Sequence, residues 1–333
     1  MFTRRQFHLR AFGLGIAGLG LPALALAQGS AYPNRPIKII VPYAAGGGPD
    51  VLTRKMAIKL TEALGKGSVV IVDNIVGAGG ILAAQSVARM APDGYNILLG
   101  ASSHIVQKAM EPSAKFDPMK DFTPITRTAT SPSILVVNAS SPYKTVEDLV
   151  AAAKREPGKL NYASGGVGSA AHMCGAAMAL QAKIDAVHIP YKGSVEIVPS
   201  IITGATQFAF PIASTAIPQI QGGKVRALAV SSAQRMPALP NVPTLVEVFK
   251  TQDLALESWF GLWAPAGTPP EVVDILFKAV VKAYDDPTLR ADSEATGAFV
   301  ALSSSPSEFT KFMQAETLKL EKIVKAADLS VYK

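Results

Sequence analysis

Three short β-branched runs, "IKIIV" (37–41), "VVIVD" (69–73) and "NILLG" (96–100), alternate with segments 49–64 and 79–90, whose apolar residues recur at helical spacing. This order constrains the fold more than any other feature of the chain. Parallel strands need a crossover, and a helical crossover covers the face of the sheet. The pattern therefore predicts an α/β fold with a parallel, helix-covered sheet, in which ligands bind beyond the C-terminal ends of the strands.

A second series begins at "SILVVN" (133–138). It continues through a helix over 145–155, "LNYAS" (160–164), a helix from Ser169, "AVHIPY" (186–191), "TQFAF" (206–210), another helix and "VRALAV" (225–230). "ALESWFGLWAPAG" (255–267) then reads as a return strand, followed by helices near 270–284 and 306–326. One α/β unit thus interrupts another. We expect residues 31–130 plus 252–333 to form one lobe and 131–251 the other. Two crossings between them would make a hinged clamshell, its cleft lined by strand-end loops.

Three glycine-rich turns occupy those strand ends: "AAGGGPD" (44–50), "VGAGG" (76–80) and "SGGVGSAAH" (164–172), each leading into a helix start. The first turn of a helix has N–H groups without intrahelical partners, and the helix dipole makes that end positive. Glycine lets a carboxylate or phosphate approach such a backbone closely. Each turn is equally a tight connection and nothing more; it is their convergence on one cleft that would hold an anion without many arginines.

The start of the chain differs in kind. Residues 1–27 carry a basic n-region, an uncharged apolar stretch from Ala11 to Leu26, and Ala25 and Ala27 in an A-x-A cleavage pattern, which together read as a secretory signal. "TRRQFHLR" resembles the twin-arginine export signal through Arg4, Arg5, Phe7 and Arg10, with general secretion as the alternative. "GLGIAG" (13–18) matches G-x-G-x-x-G but follows no strand, so it is not a dinucleotide fingerprint.

Removing the signal removes three arginines and no acid, so the formal charge of +7 falls to +4. That excess does not point to nucleic acid. Cys174 is the only cysteine, which excludes an intramolecular disulfide, and four scattered histidines give no metal-ligand spacing. A soluble, monomeric protein beyond the inner membrane, without cofactor or metal, is expected.

With these loops in view, the chain resembles the Bug family, the substrate-binding receptors of tripartite tricarboxylate transporters. The resemblance rests on "YPNRPIKIIVPY", "GGGPD", "GAGG" before "VARMAPDGYNILLG", "PGKLNYASGGVGSAAH", "HIPYKG", "GGKVRALAVSS", "LPNVPTLVE" and "WFGLWAPAGTP", and spans nearly all of the chain after the signal. It implies a two-lobed periplasmic-binding-protein fold of the Venus-flytrap, type II-like kind. It also implies a small organic carboxylate as ligand, no catalysis, and delivery to membrane permease subunits.

Carried onto this sequence, the resemblance places Tyr43, Ala44, Ala45, Gly46, Gly47 and Asp50 around one end of the ligand, with Gly77, Ala78 and Gly79 beside them. Ser102 and Ser103 follow the third strand, and Gly166, Gly168, Ser169 and His172 face them from the other lobe. The chain departs from the family pattern at Ala45, Ala176, Ser200 and Pro211. At the last of these the family often has an aspartate, suited to an ammonium group. A far wall of Pro211, Ile212 and Ala213 without charge favours a dicarboxylate or an aromatic acid over an amino acid.

Several residues admit a second reading. Ser169 and His172 lack the G-x-S-x-G elbow of a hydrolase, and Ser169 fits an N-cap and ligand donor better. Asp50 fits a helix cap as well as a ligand partner through water. His188 reads as a packed core residue, Trp259 and Trp263 as core, and His104 as lying at the cleft mouth or on the surface. An enzyme on a similar scaffold would need a phosphate loop or a nucleophile–base set, and neither motif is present. A ligand sensor docking a signalling partner fits the sequence equally.

Overall fold

The structure, a computed structural model, describes residues 32–326 apart from 66, 112, 192 and 296. The proposed signal at 1–27 lies outside the described residues. Among those described, no helix is long and apolar enough to cross a membrane.

Strand β1 (Ile37–Val41) is the core of the first sheet, with Ile37, Ile39, Ile40 and Val41 fully buried. It pairs in parallel with β2 (Val70–Asn74) on one side and β3 (Asn96–Ala101) on the other. Helix α1 (Gly48–Leu64) buries Thr53, Met56, Ala57 and Leu60, the i, i+3, i+4, i+7 stripe that the sequence shows. The segment expected as one helix over 79–90 divides into a 3₁₀ turn (Ala78–Gly80) and helix α2 (Ile81–Ala88). Positive φ at Gly79 and Gly80 breaks the helix there.

Two elements were not legible in the sequence. Helix α3 (Ser102–Met110) starts directly after β3, and β4 (Phe122–Pro132) is a long strand rich in Thr and Pro. Proline at 124 and 132 speaks against a strand on propensity, yet β4 pairs antiparallel with the return strand β10 (Glu257–Pro265) throughout. Strand β10 also pairs antiparallel with β3, giving the sheet order β11-β4-β10-β3-β1-β2, where β11 is Phe299–Val300.

The second sheet has the order β7-β6-β8-β5-β9. Its strands are β5 (Ile134–Asn138), β6 (Asn161–Ser164), β7 (Val187–Pro190), β8 (Phe208–Ala209) and β9 (Val225–Val230). Around it pack α4 (Val146–Arg155), α5 (Ala170–Ala182), α6 (Ile197–Ile202), α7 (Ala213–Gln221) and α8 (Leu245–Phe249). Helix α4 opens on a capping box in which Thr145 accepts from the Asp148 N–H and Asp148 from that of Thr145. Helices α9 (Pro270–Ala283), α10 (Pro287–Ala295) and α11 (Pro306–Ala326) complete the first unit.

The chain passes from the first sheet to the second at Ser133 and returns between Val230 and Glu257. The passages are stitched together. Ser133 N–H donates to Ser231 Oγ and Ser231 N–H to Ser133 O, both at 2.9 Å, while Leu256 N–H donates to Ser231 O. Trp259 and Trp263 are buried in the core, as their spacing on the strand predicts. His104 is also fully buried, at neither the cleft mouth nor the surface. It packs edge-on to Phe116 and Trp263, because its place on the first turn of α3 turns it under β10.

Candidate ligand-binding site

Between the two sheets lies a cavity of about 280 Å³, bounded by strand ends from both. From the first sheet come Tyr43, Ala44, Gly47 and Pro49 after β1, Val76, Gly77, Gly79 and Gly80 after β2, and Ser102 and Ser103 after β3. Ser258 and Phe260, of like parity on β10, close that side. Opposite them stand Gly165, Ser169, Ala170 and Ala171 after β6, Val195, Glu196 and Ile197 after β7, and Phe210 and Ile212 after β8.

The starts of α3 and α5 face the cavity in the same way. Ser102 and Ser103 are the first two residues of α3, and Ala170 and Ala171 the first two of α5, so their N–H groups have no intrahelical partner. Ser169 is the N-cap of α5, its Oγ accepting from the His172 N–H at 3.4 Å. That hydrogen bond gives the serine a cap's geometry. Tyr43 Oη lies 3.4 Å from Ser103 Oγ, and burial pushes the phenol up to about 12 against the opposing Ser103 bond, so it is a neutral donor at pH 7.

Three helices share a device at their third residue. In α1, Asp50 accepts from the Gly46 N–H at 2.8 Å; in α3, His104 Nδ1 accepts from the Ala101 N–H at 3.1 Å; in α5, His172 Nδ1 accepts from the Gly168 N–H at 3.0 Å. Each side chain reaches back and fixes the loop that enters its helix. The imidazoles stay uncharged. Burial lowers His104 to about 4, and burial together with the neighbouring His188 lowers His172 to about 3.

Asp50, by contrast, is ionised. Burial would raise its pKa, but hydrogen bonds from Arg54, Asn74 and Gly46 more than offset this and hold it below the usual range. Gly47 and not Asp50 is the N-cap of α1. With both oxygens engaged by Arg54, Asn74 and Gly46, Asp50 lies behind the cavity wall.

His172 likewise stands behind the wall, stacked on His188 with ring centroids 4.0 Å apart. His188 Nε2 lies 2.6 Å from Ser164 Oγ. Gly168 and Gly79 meet across the cleft on Gln107 of α3, whose Nε2 donates to Val167 O at 2.6 Å. A Cβ at Gly168 would come within 2.9 Å of that Nε2, and one at Gly79 would overlap it. Both glycines have positive φ, so close approach and backbone conformation require glycine there together.

The structure thus gathers Tyr43, Ala44, Gly47, Gly77, Gly79, Ser102, Ser103 and Ser169 at one cavity. Ala45, Gly46, Asp50, Ala78, Gly166, Gly168 and His172 stand next to it without lining it. At the far wall the parity is shifted. Phe210 and Ile212 face the cavity, while Pro211 turns its carbonyl to the Ile134 N–H and Ala213 is fully buried.

Sequence reasoning missed Val195 and Glu196, although "HIPYKGS" leads to them by the same strand-to-helix logic. It also missed Ser258 and Phe260, whose alternation on an apolar return strand reads as core.

Two sheets joined by a stitched pair of crossings, with a cavity between their strand ends, define a two-lobed periplasmic-binding protein. The profile described as "Tripartite tricarboxylate transporter family receptor" matches residues 52–329, and the chain belongs to that family. BugT of Bordetella pertussis is 31% identical over 319 residues, covering 95% of this chain and 96% of its own. Rpa4515 of R. palustris, solved with adipate, is 30% identical with a TM-score of 0.83, over 89% of this chain and 98% of that one. MatC of Rhodopseudomonas palustris, solved with bound malate, is 28% identical with a TM-score of 0.82, over 88% and 100% respectively.

Proposed function

We propose that this protein is a periplasmic receptor that captures a small organic carboxylate, a dicarboxylate or an aromatic acid, between two lobes and delivers it to a tripartite tricarboxylate-type permease. The observation that carries the reading is the convergence of the α3 and α5 starts on one cavity, each with serine hydroxyls and uncapped N–H groups and neither with an acid in its first turn. Such helix ends attract an anion and make charge-assisted hydrogen bonds to it. The relatives solved with adipate and malate support a carboxylate.

In this reading residues 31–130 plus 252–333 are one lobe and 131–251 the other, and the stitched Ser133–Ser231–Leu256 passage is the hinge. Ser102, Ser103, Ser169 and Tyr43 contact the acid, with the backbone of Gly47, Gly77, Gly79, Ala170 and Ala171. Asp50 and His172 position the loops. The protein turns nothing over: Ser164, whose Oγ lies 2.6 Å from His188 Nε2, is fully buried and does not line the cavity, while Ser169, which does, caps a helix, and the imidazole of His172 already accepts from Gly168.

Isothermal calorimetry of the purified protein against dicarboxylates, aromatic acids, amino acids and sugars tests this. One acid bound per chain, with no product after prolonged incubation, is expected. Binding of a neutral sugar alone, or steady product formation, overturns it.

A further inference from the structure

The reading above leaves open which acid. Resting on it, we infer that the ligand carries a single carboxylate on an apolar body, and not a carboxylate at each end. The cavity has two chemically different ends, marked by two smaller cavities that adjoin it. One of these shares Ser102, Ser103, Ala170 and Ser258 with it; the other shares Pro49 and Phe260.

The first end holds hydroxyls and the starts of α3 and α5, whose first turns contain no acid. This end suits a carboxylate. The second end is built differently. The start of α1 carries an acid, Asp50, at its third position, and Pro49 before it has no N–H to offer. The start of α7 is closed by α1: a Cβ on Gly48 would overlap the Ser214 hydroxyl, and Ala213 is fully buried.

What remains there for a ligand is Pro49 and Phe260, with Phe210, Ile212 and Val195 opposite. Among the described residues lining the cavity, the charged one is Glu196, an acid. A second carboxylate would lose its water there without a cationic side chain among the described lining residues to replace it. An aromatic ring or short alkyl chain would bury apolar surface against the same wall. The cavity's size, at the low end for ligand pockets, fits a body of that scale.

Matched acids that differ only in the second carboxylate test this directly: hexanoate against adipate, and benzoate against terephthalate, titrated calorimetrically into the intact protein. We expect the monoacid of at least one pair to bind, and to bind at least ten-fold tighter than its diacid. Val195 is 46% exposed, so Val195→Lys leaves the fold intact while placing a cation at the apolar end, and should narrow that gap at least five-fold.

If, in every pair that binds, the diacid equals or exceeds its monoacid, this inference alone is overturned and carboxylate capture stands. An unchanged gap in folded Val195→Lys also overturns it. No binding by any of the four, or by any other acid, overturns both this inference and the reading on which it rests.

Discussion

Ser169 does two jobs at one position, capping α5 and presenting its hydroxyl to the cavity, so its removal should lower stability and affinity together. Losing a hydrogen bond to a charged group costs about 1.5–3 kcal/mol, which is roughly a ten- to hundred-fold loss of affinity. We expect Ser169→Ala to weaken acid binding by that factor in calorimetry. Thr145→Ala, which removes a cap remote from the cavity, should cost about 1 kcal/mol of stability and leave affinity unchanged. The histidines act on stability through pH. His104 and His188 are held near 4 and His172 near 3, mainly by burial, whereas an unfolded imidazole titrates near 6.5. Below 6.5 the unfolded chain therefore takes up protons that the folded one refuses, and stability falls from about pH 6.5 down to about 4, with His172 extending the fall towards 3. Scanning calorimetry between pH 7.5 and 4 should show a falling Tm, with a shallower slope in His188→Gln. A flat Tm across that window contradicts the assignment of neutral buried imidazoles.

The elements that position the site were unequally legible. β1, β9 and α11 fall where β-branched runs and helical periodicity place them, because each has one clear burial pattern and a glycine or proline at its limits. β4 was hidden because Pro124 and Pro132 break its pattern and its polar threonines leave no apolar alternation, and its pairing is dictated by β10, more than a hundred residues later. α3 was hidden because β3 runs into it with no intervening turn residue. The glycine loops marked the site's neighbourhood, but not which residues face inward. Strand parity beyond β8 and the burial of His172 and Asp50 depend on tertiary packing, so Pro211 and Ala213 were assigned to a wall that Phe210 and Ile212 occupy. At this scale the packing of Gly79 and Gly168 on Gln107 makes a prediction. Gly168→Val should push Gln107 off Val167 O and strain a backbone at φ of +75°, reducing affinity well beyond the effect of Gln107→Ala. Equal losses in the two variants would mean that the hydrogen bond matters and the close approach does not.

At the scale of the whole molecule, two sheets share one cavity and are tied by crossings at Ser133 and Ser231, so a ligand bound to strand ends from both sheets holds them together. In the proposed reading the acid is held by the starts of α3 and α5 and not by a cationic side chain. A crystal structure of the complex with the tightest-binding acid tests this most directly. Carboxylate oxygens are expected within hydrogen-bond distance of the Ser102–Ser103 and Ala170–Ala171 N–H groups and of the Ser103 or Ser169 hydroxyl. A carboxylate paired instead with a lysine or arginine, or an acid seated outside this cavity, would contradict it.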